Sequence, residues 1–140
     1  MTDKNRRQAL IHYFGREKFK DTGAERGLDL CVALAGGRTL KAKPVTVRDP
    51  EDGRRWTFTP DRLITLPITL PFYGYADGLT HQTPRGRKKD LWENALLRTK
   101  GTRVFRSDSQ LLENPKWHQY VAGKLLDFSR SEFPDVQLYA

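Results

Sequence analysis

The sequence predicts a single α/β domain whose mixed β-sheet is flanked by helices, and three observations predict it. The chain has 140 residues, enough for one sizeable core and too few for two well-developed ones. Helical and strand-like apolar patterns follow one another in the order α, β-hairpin, β, α, β, α, without an internal repeat or low-complexity linker, and such an order packs helices against a sheet. Hydrophobic residues make up 37% and charged residues 30%, a balance that builds a core under a charged surface and excludes a disordered chain.

Each element has its own justification. Residues 6–14 carry Leu10, Ile11 and Phe14 at helical spacing in a basic segment. Thr22 stands three residues before Glu25, as in a capping box. The apolar run Leu28, Leu30, Cys31, Val32 and Leu34 continues that helix until Gly36-Gly37 stops it. The pattern predicts a strand from Thr39 to Val47, a turn at Asp49-Pro50-Glu51-Asp52-Gly53, and a second strand from Arg55 to Thr59 that completes a hairpin. Leu63 to Phe72 is apolar but interrupted by Pro67 and Pro71. It reads as a strand with an irregular approach to a buried strand, Phe72 to Ala76, that Gly78 terminates. Leu91 to Thr99 reads as a helix with Leu91, Trp92, Ala95 and Leu96 on its apolar face, and Gly101 suits the left-handed residue just past its end. A short strand, Thr102 to Phe105, follows. The last helix, Pro115 to Ser129, places Tyr120, Val121, Lys124, Leu125 and Phe128 at helical intervals.

Charge narrows the partners. The 25 Lys and Arg exceed the 17 Asp and Glu by a net +8, the electrostatic footprint of a protein that meets a polyanion. Cys31 is single, so no internal disulfide can form, and its apolar neighbours make it a small core residue rather than a nucleophile. The first residues, Met-Thr-Asp-Lys-Asn-Arg-Arg, hold no apolar signal region, and no window approaches the ~18 apolar residues that span a bilayer. The expectation is therefore a cytoplasmic protein without a membrane partner. Zinc-type Cys/His spacing and a phosphate-binding glycine loop are absent from the sequence.

The chemistry concentrates between Trp56 and Arg106. An apolar run ends in Pro60-Asp61, and Asp77 and His81 follow within one strand and turn. Next comes the basic segment Arg85-Gly86-Arg87-Lys88-Lys89-Asp90. Carboxylate oxygens suit a hard divalent cation, an imidazole suits proton transfer, and cations suit a phosphate backbone. Each residue also has an ordinary reading. Glu25 serves equally as the third residue of a capping box, Asp77-Gly78 as a turn, His81 as a surface loop residue, and Arg85, Arg87, Lys88 and Lys89 as a solvated basic loop. Lys88 and Lys89 fit electrostatic positioning of phosphate better than a catalytic-lysine role. Trp56, Trp92 and Trp117 fit core or partly buried packing better than base stacking.

In order and spacing these residues resemble the small nucleases related to the very short patch repair (Vsr) endonuclease, within the PD-(D/E)XK restriction-endonuclease-like superfamily. The resemblance covers roughly residues 22–128 and rests on Thr22 and Glu25, Pro60 and Asp61, Asp77 and Gly78 with His81, Asp90, and Gly101 with Val104 and Arg106. Tyr75 departs from it, occupying a slot where relatives often carry Glu. There the resemblance points instead to a main-chain carbonyl of Tyr75 or Ala76 as a ligand.

The resemblance implies a restriction-endonuclease-like fold, with a basic segment at 1–21, a nuclease domain at 22–130 and a tail at 131–140. It implies Mg²⁺- or Mn²⁺-dependent hydrolysis of DNA phosphodiesters as an endonuclease or nickase. Asp61 and Asp77 would be metal ligands, and His81, whose side-chain type ordinarily titrates near ~6.5, would accept the proton of the attacking water. Asp90 would orient that imidazole, Glu25 would support the metal, and Arg85, Arg87, Lys88 and Lys89 would contact DNA phosphates. DNA is the implied partner, with a protein partner or homodimer left open. The alternative is a noncatalytic nucleic-acid-binding module or complex subunit on an altered nuclease fold.

Overall fold

A computed structural model describes residues 23–78, 81 and 83–140. The helix expected at residues 6–14 and Thr22 of the expected capping box lie outside them. The first described helix, α1 (Gly23–Leu34), buries Leu28, Cys31 and Val32. It ends where Gly36 takes a φ of 82°, a left-handed conformation that costs glycine little.

The expected single strand from Thr39 to Val47 is two strands in two sheets. β1 (Arg38–Lys41) joins the main sheet, whereas β2 (Val45–Arg48) pairs only with β3 (Arg55–Phe58) in a separate antiparallel ribbon. Pro44 lies at the break and has no N–H to continue a ladder. The ribbon's turn falls where expected. Gly53 N–H donates to the Asp49 carbonyl at 2.8 Å, and Asp49 N–H donates to the Arg54 carbonyl at 2.8 Å.

The expected irregular strand from Leu63 to Phe72 shortens to β4 (Arg62–Thr65), which pairs antiparallel with the expected buried strand, β5 (Phe72–Asp77). Pro67 and Pro71 both fall in the connecting turn, outside the ladder. Gly74 of β5 permits the close packing of this pair. A Cβ there would lie 2.5 Å from Ile64 Cδ1 and 3.2 Å from Leu28 Cδ2.

After β5 the chain enters α2 (Pro84–Arg98), returns through β6 (Val104–Asp108), and continues as α3 (Ser109–Glu113), a 3₁₀ turn (Pro115–Trp117) and α4 (His118–Arg130). The residues expected as a tail contribute an edge strand, β7 (Asp135–Leu138), with Leu138 buried. The five-stranded sheet runs β1-β4-β5-β6-β7. Its β1/β4 and β4/β5 pairs are antiparallel, and its β5/β6 and β6/β7 pairs are parallel. The mixed α/β architecture expected from the sequence is thus present.

Strand alternation gives this sheet two different faces. On one, Ile64, Phe72 and Phe105 pack against Leu28 and Val32 of α1 and Val121, Leu125 and Phe128 of α4. Phe128 meets Phe72 edge-on at 5.2 Å between ring centroids. On the other, Tyr75 and Val104 pack with Leu97 of α2 and with Val45 and Phe58 of the ribbon.

The helix α2 differs from its expectation in start and in face. It begins at Pro84 because Thr83 caps it, accepting the Gly86 N–H at 3.0 Å, with proline at the first helical position. Leu91 is 65% exposed, while Asp90, Asn94, Leu96 and Leu97 are buried. Of the expected apolar face, Leu96 is buried and Trp92 half-buried while Leu91 and Ala95 are exposed, because the inward stripe also carries Asp90 and Asn94, which meet a buried arginine.

Candidate catalytic site

The second face of the sheet carries a buried polar cluster. β5 and β6 run in parallel register with Tyr75 opposite Arg106 and Asp77 opposite Asp108. Alternation aims Tyr75, Asp77 and Arg106 at α2, which returns Asp90, Glu93 and Asn94 one helical turn apart or less. Arg106 has 0% of its surface exposed. Its Nη1 lies 3.3 Å from Oδ1 of both Asp77 and Asp90, Nη2 lies 3.5 Å from Glu93 Oε1, and Nε donates to Asn94 Oδ1 at 2.7 Å. Its guanidinium also sits 4.0 Å from the Tyr75 ring centroid, and the Tyr75 hydroxyl donates to Glu93. Asn94 in turn donates to Asp135 Oδ2 of β7 at 3.1 Å.

His81 joins this cluster from the turn after β5, where its N–H donates to the Gly78 carbonyl at 3.1 Å. Its Nδ1 lies 2.8 Å from both carboxylate oxygens of Asp90 and 3.7 Å from Asp77 Oδ1. An ionised carboxylate only accepts, so Nδ1 carries the hydrogen in this contact and a neutral ring presents its lone pair at Nε2. The side chain of His81 is 32% exposed, whereas those of Asp77 and Asp90 are buried. Asp77, His81 and Asp90 each offer a potential ligand atom, and these atoms lie within 4.8 Å of one another.

Burial dominates the electrostatics. Desolvation raises the Asp77 pKa to about 6 against the opposing pull of Arg106 and His81, with Asp90 adding to the rise. Asp77 Oδ2 is buried without a hydrogen-bond partner. Gln137 of β7 is near enough to favour the charged carboxylate without closing that bond. Asp61 precedes β4, and its Oδ2 accepts the Ala76 N–H at 2.8 Å, tying it to the end of β5. Burial raises its pKa as well, opposed by that hydrogen bond and by the charges of Arg62, Arg106 and His81. Desolvation and the Glu93 carboxylate push the Tyr75 hydroxyl far above its ordinary range, so it stays protonated as a donor.

The expected site residues therefore divide. Asp77, His81 and Asp90 meet in one cluster; Asp61 is not part of it, although its carboxylate interacts electrostatically with His81 and Arg106. Glu25 lies in the first turn of α1, on the opposite side of the sheet. Arg62 stands between it and Asp61, with Nη1 3.6 Å from Glu25 Oε2 and donating to the Asp61 carbonyl at 2.8 Å. Asp29 also holds Arg62, accepting from its Nε at 2.8 Å. The basic segment expected as a loop is the exposed start of α2, on the same helix as Asp90. Within it, the Arg87 guanidinium lies 4.4 Å from the Tyr139 ring centroid. Trp92 packs edge-on against Trp56 at 5.0 Å and Phe58 at 5.6 Å, while Trp117 pairs with Tyr120 at 5.9 Å.

Three participants received no chemical role from the sequence: Arg106, which the motif includes without one, Glu93 and Asn94. A sequence signal does exist for the first, since a charge between Phe105 and Ser107 in a strand of buried residues requires buried partners. Among the described residues no helix is long and apolar enough to cross a membrane. Family models, curated proteins and solved structures give no match to this chain.

The described residues whose ligand atoms converge are Asp77, His81 and Asp90, and Asp61 is not among them; carboxylate oxygens are the donors a hard divalent cation takes. Asp77 Oδ2 is a buried carboxylate oxygen without a partner, and burial disfavours the charge on Asp61 and Asp77, a cost that a cation would relieve.

Proposed function

We propose that the protein is a Mg²⁺- or Mn²⁺-dependent DNA endonuclease or nickase with a restriction-endonuclease-like, Vsr-type fold. The observation that carries this reading is the His81–Asp90 pair beside Asp77, within reach of the Asp61 charge and on the helix whose first turns expose Arg85, Arg87, Lys88 and Lys89. Asp61 and Asp77 would hold the cation, which when bound polarises a phosphoryl oxygen and makes water a better nucleophile.

The rest of the task falls to side chains. Asp90 fixes the imidazole through Nδ1, leaving Nε2 to take a proton from the attacking water. Arg106 keeps Asp77 and Asp90 in place by contacting both. The exposed cations of α2 attract and position the phosphate backbone without reading bases.

A second reading, a noncatalytic nucleic-acid-binding module, is favoured by one specific observation. Arg106 already neutralises Asp77, Asp90 and Glu93, and Tyr75 occupies a usual acidic position. Incubation with supercoiled, linear and single-stranded DNA, each with EDTA, Mg²⁺ or Mn²⁺, separates the two. The nuclease reading predicts metal-dependent nicking or cutting that Asp61→Ala abolishes while DNA binding is kept. Binding without cleavage under every condition, or equal cleavage by Asp61→Ala, overturns the assignment.

A further inference from the structure

A groove of about 550 Å³ opens on the same sheet face as the catalytic cluster but toward the other end of β5. Leu63 of β4 and Tyr73 of β5 are paired neighbours and both line it. Lys41 and Lys43, at the passage from β1 to β2, and Lys100, in the turn after α2, also line it. Among the described residues, no carboxylate side chain lines it.

The chemistry of this lining is specific in kind. Its volume is in the range of sites that enclose a small molecule or one unit of a polymer. Three lysines with no acidic residue among the described lining favour an anion, and an aromatic residue beside an aliphatic one favours a flat apolar group. A nucleotide combines both features. A paired base lies inside its duplex and cannot reach a ring in the lining of a groove, whereas an unpaired base can. Tyr73 and Asp77 lie on one strand four residues apart, about 13 Å at ~3.3 Å per residue.

The geometry points to an unpaired nucleotide of a single-stranded DNA segment as the occupant of this groove, held by Lys41, Lys43 and Lys100 and stacked on Tyr73. This inference rests on the nuclease-site reading for its substrate class, and it adds a preference for DNA with an unpaired stretch.

The test is equilibrium binding by the full chain in EDTA, read by fluorescence anisotropy with a labelled 12-nucleotide oligothymidylate and a labelled 12-base-pair duplex. The single strand is expected to bind about tenfold more tightly than the duplex. The triple substitution Lys41→Gln, Lys43→Gln, Lys100→Gln is expected to lower single-strand affinity about tenfold or more and duplex affinity far less. Tyr73→Leu, which keeps an apolar side chain in the lining, should also weaken the single strand selectively. Thymidine 5′-monophosphate should compete only weakly, because it offers one unit of the polymer.

Equal affinity for the two probes, an unaltered single-strand affinity in the triple variant, or an equal loss on both probes overturns the groove assignment while leaving DNA binding intact. Competition by the mononucleotide at concentrations comparable to the oligonucleotide would reassign the groove to a free nucleotide. Absence of binding to either probe overturns the nucleic-acid reading and this inference with it.

Discussion

The two faces of the central sheet are made by the same strands, yet they are built from opposite materials. In β6, Phe105 turns toward Phe72, Leu125 and Phe128, whereas Arg106, the next residue, turns toward Asp77, Asp90, Glu93 and Asn94. Both are fully buried. The first face gains stability from apolar area removed from water. The second places one guanidinium among three carboxylates, an arrangement whose desolvation offsets much of its attraction and which apolar residues of similar volume often replace without loss of stability. A face of this composition is better suited to holding carboxylates and an imidazole in fixed positions than to strengthening the fold.

The sharpest way to break the contrast is to truncate each face at adjacent positions. Arg106→Ala should destabilise by about 3–5 kcal/mol, because Asp77, Asp90 and Glu93 lose their buried counter-charge. Phe105→Ala should cost a similar ~3–5 kcal/mol through lost packing and a cavity. Urea denaturation at several pH values distinguishes the mechanisms. The Arg106→Ala deficit should shrink in acid as the carboxylates protonate, while the Phe105→Ala deficit should stay constant. Equal pH dependence of the two deficits would contradict the distinction between the faces.

Asp77 gives a smaller effect with a defined sign. Its pKa is raised in the folded protein, from 3.8 to about 6, so its protonated form contributes stability that is fully present below the unfolded value and is lost as pH rises through about 6. An asparagine does not titrate. Relative to the parent, Asp77→Asn should therefore gain about 2–3 kcal/mol between pH 3 and pH 8. Thermal unfolding across that range checks this, and a parent-to-variant gap independent of pH would remove Asp77 from the group of charge-strained residues.

The smallest effects belong outside both faces. Neutralising Arg85, Arg87, Lys88 and Lys89 together should leave thermal stability within about 0.5 kcal/mol per substitution, since all four are exposed. It should also weaken DNA binding similarly across sequences and make the salt dependence of binding shallower. An unchanged salt slope would return these residues to an ordinary solvated helix surface.

The two faces were not equally legible in the sequence. The apolar one was: Leu28 with Val32, and Val121, Leu125 and Phe128, stand at helical intervals that correctly mark the buried sides of α1 and α4. Along the polar one, the same rule was only half right at α2: Leu96 is buried, but Asp90 and Asn94 also face inward and Leu91 faces out. Apolar periodicity reads a core only where the core is apolar. The join of β1 to β4 rather than to the ribbon depended on long-range pairing that Pro44 hints at but does not specify, and β7 was hidden in a short segment that becomes a strand by pairing with β6. Asp77, His81 and Asp90 were legible as chemistry-bearing residues through their spacing. Their shared partner Arg106 was visible only as part of a motif, since its role exists solely once β6 lies beside β5 and under α2.

The central claim is that the polar face exists to move a proton beside a phosphodiester. It is tested most directly by the single-turnover rate of Mg²⁺-dependent cleavage of supercoiled DNA by His81→Ala, with DNA binding measured in parallel. The account predicts a rate about 10²- to 10⁴-fold below the parent, the usual contribution of a general base, with DNA affinity essentially retained. A variant that cleaves at the parent rate would contradict it.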